Sequence, residues 1–342
     1  LPANFDILDA CWRVYLWTGD IDYIKSWDFD TFYDLSVTRY VDRWDPNGDG
    51  ILERYGTGGR RGIPSYDEGI GLKDAIVMLD LISIQARGYL SYAAVCELRD
   101  MPDTAKKYRE KALELCKIIR DKWWNKNSGC FFKAMLKDNT MVNNKDITVC
   151  SYPLYYNVVI DEEQLKTELS NLAGIDNIIV EGLSYLPGTF YRHGLNKDGY
   201  KWLKEMVRPN LKRREYPEVS FCTVGYYVEA LMGIQPYAHL KTIETTPRLT
   251  SDTKWARLRA VPVFDGTIDV EHNEDGTIIE NHTGETVTWK ARFSGKYDHV
   301  NINGREMDAS IEYGTNGQVF SYAQCEVSNF SRCIASPAAM AL

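Results

Sequence analysis

No stretch of the sequence reaches the run of about 18 apolar residues that a membrane-spanning helix requires, so no span is expected. A basic stripe is also missing. With a formal net charge of −8, the chain offers nothing continuous to neutralise phosphates, which argues against nucleic acid as a partner. The short "KRR" at Lys212–Arg214 reads as a solvated loop. The eight cysteines never form a CxxC pair, so neither a zinc site nor a dense disulfide framework is indicated. Cys96 and Cys116 fall inside helical patterns and read as small core residues. No Ser-His-Asp ordering stands out, and "GTGGRRG" lacks the Lys-Ser/Thr of a phosphate loop. The chain opens at Leu1 without Met or a signal peptide, and the sequons at Asn281 and Asn329 are too short to fix a compartment.

What is present is an ordinary globular composition in a chain of 342 residues, enough for two domains. Its 22 tyrosines and 9 tryptophans are more than a dry core needs, and polar-tipped rings suit half-wet clefts. Up to about residue 240 the apolar residues recur at helical spacing. Phe5, Leu8, Trp12 and Tyr15 set one helix, and Phe29, Tyr33, Val37, Tyr40 and Trp44 another that stops at Pro46. Ile76, Leu79, Ile82, Ala86, Leu90 and Ala93 predict a long helix, with Tyr108, Ala112, Leu115 and Ile119 as its partner after the Met101-Pro102 break. Further helices fit Glu162–Leu172, Leu183–His193, Lys197–Val207 and Phe221–Met232, and short turns between them imply antiparallel hairpins. After Pro236 the period becomes two, and Asp275-Gly276 marks a β-hairpin. The expected organisation is a helical domain over 1–239, a β-sandwich-like domain over 240–330, and a tail over 331–342.

The stretch "RWDPNGDGILERYG" looks at first like a calcium loop. Asp45, Asn47, Asp49 and Gly50 occupy the first ligand positions and the turn glycine of an EF-hand, but the closing glutamate position holds Gly56. The EF-hand reading therefore fails. Pro46, Asn47 and Gly48 to Gly50 read instead as turn chemistry ending a helix, with a looser calcium site at Asp45, Asn47 and Asp49 as the alternative and no other metal expected.

Three stretches between helices combine acids, glycine and aromatic rings. "GTGGRRGIPSYDEGIG" carries Asp67 and Glu68, "IIVEGLSYLPGTF" carries Glu181, and "RREYPEVSF" carries Glu215 and Glu218. The first lies in a long loop, Pro46 to Gly69, and loops of that length in compact domains are usually functional or disordered. Each acid has a plainer reading as well, because carboxylates are favoured in the first turn of a helix and "EYPE" suits an N-terminus beside Pro217. His193 beside Gly194 reads as a helix-end residue.

Long helical hairpins, the "DPNGDG" loop, the acidic aromatic loop and "VSFCTVGYYVEALMGIQP" running into a β domain together resemble the six-hairpin (α/α)6 glycoside hydrolases, which include glucoamylase, trehalase and α-L-rhamnosidases. The resemblance extends to the apolar-Gly-apolar-x-Pro turn at Met232–Pro236 and to Pro247 and Trp255 opening the β domain. It implies a mainly α fold, an (α/α) helical-hairpin toroid followed by a small antiparallel β domain. About eight of twelve barrel helices are legible, so the opening hairpins, the missing N-terminal part of the same protein, are expected upstream of Leu1. It also implies cleavage of a glycosidic bond in an oligo- or polysaccharide by paired carboxylates with inversion. Asp67 would be the general acid, and Glu215 or Glu218 the base that deprotonates water. Trp44, Tyr55, Arg60, Arg61, Tyr66, Glu68, Glu181, Tyr185 and Tyr216 are the candidate contacts to the carbohydrate substrate. The rival readings are a non-catalytic carbohydrate-binding or scaffold module and a related phosphorylase or sugar isomerase.

Overall fold

A computed structural model describes residues 3–53, 74–143, 147–176, 178–213 and 215–338. Two compact units result. One comprises Leu1–Tyr15 and Asp20–Ile178, the other Leu16–Gly19 and Ile179–Leu342.

In the first unit the described helices are α1 (Ala3–Thr18), α2 (Asp22–Lys25), α3 (Trp27–Val37), α4 (Arg39–Trp44), α5 (Leu79–Leu98), α6 (Pro102–Lys122), α7 (Ile147–Tyr155) and α8 (Glu162–Ala173). Short strands intervene: β1 (Ala75–Met78), β2 (Trp124–Asn125), β3 (Cys130–Phe131), β4 (Ala134–Leu136) and β5 (Met141–Val142). The centre is α5, in which every residue from Leu79 to Ala86 is buried. That explains why the expected register started too early. A helix turn buried all round has no single apolar stripe, and Ile76, read as its first turn, belongs to β1, where it lies at the register irregularity between Ala75 and Val77, both paired with β4. By contrast α6 is one-sided. Ala105, Tyr108, Ala112, Leu115 and Ile119 line its buried face, and Pro102 opens it at the first turn, where a missing N–H costs nothing.

α1 meets α5 at Gly88, where a Cβ would lie 2.3 Å from the Phe5 ring. Beside that contact the buried Asp9 accepts hydrogen bonds from Arg87 Nε at 2.7 Å and Ser91 Oγ at 2.6 Å. Burial works to raise the Asp9 pKa, but Arg87, Arg13 and the Ser91 hydroxyl outweigh it and hold the carboxyl below its ordinary value. The single helix expected from Phe29 to Trp44 is broken at Thr38, whose hydroxyl bonds back to Asp34 O at 2.6 Å.

The second unit opens with α9 (Val180–Leu183), α10 (Leu186–Arg192), α11 (Asn196–Met206) and α12 (Pro217–Gly225), and α12 runs into a π-helical turn over Tyr226–Leu231. Where one helix was expected from Leu183 to His193, two appear, separated by Ser184 and Tyr185. The β part follows with β6 (Gln235–Tyr237), β7 (Thr242–Thr245), β8 (Ala256–Val263), β9 (Gly266–Asn273), β10 (Gly276–His282), β11 (Val287–Ser294), β12 (His299–Ile302), β13 (Arg305–Asp308), β14 (Ser310–Tyr313), β15 (Val319–Val327) and β16 (Arg332–Pro337). They form a six-stranded sheet, β13-β12-β16-β10-β9-β8, and a five-stranded sheet, β14-β15-β11-β7-β6. The expected tail therefore contains a strand, β16, hydrogen-bonded on both sides by β12 and β10. Trp289, Ile243, Val270, Ile279, Val300 and Ala335 fill one shared core, as the period-two alternation of β9, β10 and β11 requires.

Two turns fix this part. In the β9–β10 hairpin Asn273 pairs with Gly276, so the two-residue loop is Glu274–Asp275 and Gly276 (φ +136°) sits just after it. The "DG" signal located the hairpin one residue out of register. At Gly233 (φ +56°) a Cβ would lie 2.2 Å from Thr246 O, so the apolar-Gly-apolar turn can be closed only by glycine.

His272 locks this turn to the sheet. Met232 O can only accept, so His272 Nε2 donates to it at 2.8 Å, and Nδ1 accepts from the Thr277 hydroxyl at 2.8 Å. Burial pushes the imidazole down to about 4 from 6.5. The unfolded chain therefore binds a proton that the folded chain refuses, and stability falls as pH drops from about 6.5 to about 4, by roughly 3 kcal/mol in full. Thermal melts of the protein and of a His272→Gln variant across that window should show the difference between the two narrowing as pH falls. A constant difference would contradict the buried neutral imidazole.

Candidate functional site

On the first unit the site is approached from α4. Trp44, half-buried at its end, accepts through its carbonyl from Glu53 N at 2.5 Å, closing the loop between them. Asp45 takes Asp49 N at 3.0 Å and Gly50 N at 2.8 Å on its two oxygens, and Asp49 Oδ1 takes Ile51 N at 2.9 Å. Asn47 accepts from Asp49 N and donates its amide to Glu53 Oε1 at 2.7 Å. The loop is anchored to α5 by Gln85, which accepts from Leu52 N at 3.0 Å and donates to Gly50 O at 2.7 Å. Gly48 and Gly50 both take positive φ, as the turn reading requires.

The loop's contacts are turn chemistry: the Asp45 oxygens accept backbone N–H groups, and the Asn47 amide N–H group donates to Glu53. Among the described residues no group of three His, Cys, Asp or Glu side chains comes together to hold a metal.

Glu53, at the ninth position of the calcium-loop spacing, where a ligand usually acts through water, was not among the candidate site residues. It is buried, and its pKa is raised by that burial first and then by the charges of Asp49 and Asp45. Tyr55, Arg60, Arg61, Tyr66, Asp67 and Glu68 all lie outside the described residues.

In the second unit the structure brings Glu215, Tyr216 and Glu218 to one turn at the start of α12. Pro217 opens the helix and Glu218 stands in its first turn, so the plainer role of favouring the helix N-terminus is available to Glu218 as well. Both carboxylates are exposed. Tyr216 accepts through its carbonyl from Val219 N and Ser220 N, and its ring carries the Arg213 guanidinium at 3.9 Å. Further along the same helix Phe221 and Val224 are 76% and 64% exposed, an apolar surface that the expected contacts did not include. Tyr185 is half-buried before α10 and accepts from Thr189 through its carbonyl, while Glu181 lies in α9. His193 caps the end of α10, buried, with Nδ1 2.7 Å from Thr315 Oγ1, as a helix-end residue should be. Two exposed carboxylates and a half-buried ring thus share one turn.

Solved glycosidases share this arrangement of helices and sheets. A GH78 family rhamnosidase of Bacillus sp. GL1 superimposes with a TM-score of 0.60 at 13% identity, over 81% of this chain and 30% of its own. An α-L-rhamnosidase from Dictyoglumus thermophilum gives 0.62 at 14% identity, over 97% of this chain and 39% of its own. The fold is related to that of glycoside hydrolases. A sialidase also matches, with a TM-score of 0.60 at 12% identity over 92% of this chain and 32% of its own. The chain thus spans about a third of the length of these solved relatives. No protein-family model matches it, and no curated protein does.

The turn-forming role of Asp45, Asn47 and Asp49 has a direct test. Melting temperature in excess chelator and in millimolar calcium should agree within error; a calcium-dependent rise of several degrees would show that the loop rearranges to bind the ion.

Proposed function

We propose that the chain is part of a glycoside hydrolase of the helical-hairpin type, its described helices belonging to an (α/α) toroid, cleaving its substrate with inversion. The observation that carries this reading is the likeness to solved glycosidases along most of the chain. The acid stretches that the sequence marks supply the chemistry the fold alone does not. Asp67 would protonate the leaving oxygen, and Glu215 or Glu218 would take a proton from the attacking water. The exposure of Glu215 and Glu218 supports the second role, since a base must remain ionised and in reach of solvent. A general acid needs the opposite setting, apolar walls or a neighbouring negative charge. The loop that leads to Asp67 already gathers Asp45, Asp49 and the buried Glu53. Tyr216, stacked with Arg213, and the exposed Phe221 give α12 the flat apolar surfaces on which sugar rings rest.

The rhamnosidase neighbours make an aryl α-L-rhamnoside the first substrate to assay. Hydrolysis should fall by about 10²-fold or more in Asp67→Asn, and similarly in one of Glu215→Gln and Glu218→Gln but not the other, with melting temperatures unchanged. Full activity in Asp67→Asn would remove Asp67 from the acid role. Saturable binding without product would favour a carbohydrate-binding module, and product formed only with phosphate would favour a phosphorylase.

A further inference from the structure

A cavity lies in the second unit, away from the α12 carboxylates in sequence and built from different elements. It has a volume of about 460 Å³ and is walled by the α10–α11 turn, by Arg248, by the residues that end and follow β11, and by the β14–β15 loop. Its size falls in the range of small-ligand sites, about 300–1,000 Å³. Two of its lining side chains are cationic, Arg248 and Lys296, and none is acidic.

Arg248 is the decisive group. Its Nη1 donates to the carbonyls of Glu229 at 3.0 Å and Ala230 at 2.7 Å, which fixes the guanidinium at the end of the π-helical turn. Among the described residues no carboxylate lies within ion-pair distance of it. The acid whose charge acts on it, Glu244, is already shared between Lys290 and Arg292. Burial, and then the charge of Arg292, push the Arg248 pKa down to about 10. A half-buried cation without a counter-ion is unfavourable, and an incoming anion relieves it. Asn196 also lines the cavity, and its Oδ1 is buried without a hydrogen-bond partner, so a polar group of the cavity is unmet.

The walls are set in advance. Asn316 Nδ2 donates to His193 O at 3.0 Å, and Gln318 Nε2 donates to Arg192 O at 2.9 Å, tying the β14–β15 loop to the α10–α11 turn. At that turn Gly194 (φ +80°) approaches so closely that a Cβ would stand 2.9 Å from the Gln318 side chain. Little ordering remains to be done when a ligand enters.

We infer that this cavity is a binding site for a carboxylate-bearing sugar, held by the Arg248 guanidinium and the Lys296 ammonium, with its hydroxyls on Asn196 and Gln318. The planar fork of an arginine matches a carboxylate, and the amides suit hydroxyl groups. The sugar half of this assignment rests on the proposed glycosidase function; the anion half rests on the cavity alone.

Isothermal titration of the full chain with glucuronate, glucose and inorganic sulfate tests it. Glucuronate should bind saturably, more tightly at low than at high salt, and more tightly than either control by about tenfold. Lys296→Gln, an exposed substitution that spares the fold, should weaken glucuronate by about tenfold while leaving glucose unaffected. An Arg248→Met variant should abolish binding if it retains the parent melting temperature; if it does not fold, the Lys296 arm decides. Equal binding of glucose, equal binding of sulfate, or indifference to Lys296→Gln would each overturn the assignment. Because the readout needs no turnover, a protein that binds glucuronate here yet hydrolyses no glycoside would sink the glycosidase reading and keep the site as one for carboxylated sugars.

Discussion

Burial of α5, complete from Leu79 to Ala86, is the constraint around which the first unit is organised. A helix buried to that extent must have its polar groups met by its neighbours, and each such demand places another element. Ser91 meets Asp9 and so docks α1; Gln85 meets Leu52 and Gly50 and so fixes the loop after Trp44. Ser83 turns back on Leu79 O and asks nothing of the surroundings. The loop that leads into the acidic stretch is thus held by a hydrogen-bonded amide on the most buried helix of the unit, a rigid start for a functional segment.

The second unit depends on a comparable device at smaller scale. The turn at Met232–Pro236 lets the chain leave the π-helical segment and enter the sheet, and it works because Gly233 admits the close approach of Thr246 and because His272 binds Met232 O. The same junction explains Arg248, whose guanidinium completes the last carbonyls of that segment. A structural duty thereby leaves a positive charge facing a cavity. Capping the helix end and receiving an anion are not alternatives, since the first uses one nitrogen of the guanidinium and leaves the others.

The fold was legible in the sequence where the period was clean. α6 shows a single apolar face and its residues fall where spacing puts them; the sandwich strands β9 to β11 alternate as read. Legibility failed where burial erased the pattern, as at Ile76 ahead of α5, and where a side chain bonded to its own backbone, as at Thr38. β16 was missed because edge-to-centre placement in a sheet is a long-range property that "RCIASP" does not carry. The candidate site was legible by residue type more than by geometry. The α12 turn gathers Glu215, Tyr216 and Glu218 as the motif groups them, whereas Glu53 and Arg248 matter through burial, which no local spacing reports.

The central claim is that this chain takes part in carboxylate-catalysed cleavage of a glycosidic bond by direct attack of water. Proton NMR of the first product formed from aryl glycosides, followed before the sugar mutarotates, tests it most directly. The account predicts release of the anomer opposite to that of the substrate, at a rate indifferent to phosphate. Release of the same anomer would contradict the proposed inverting roles, and the absence of any hydrolytic product would contradict the catalytic claim itself.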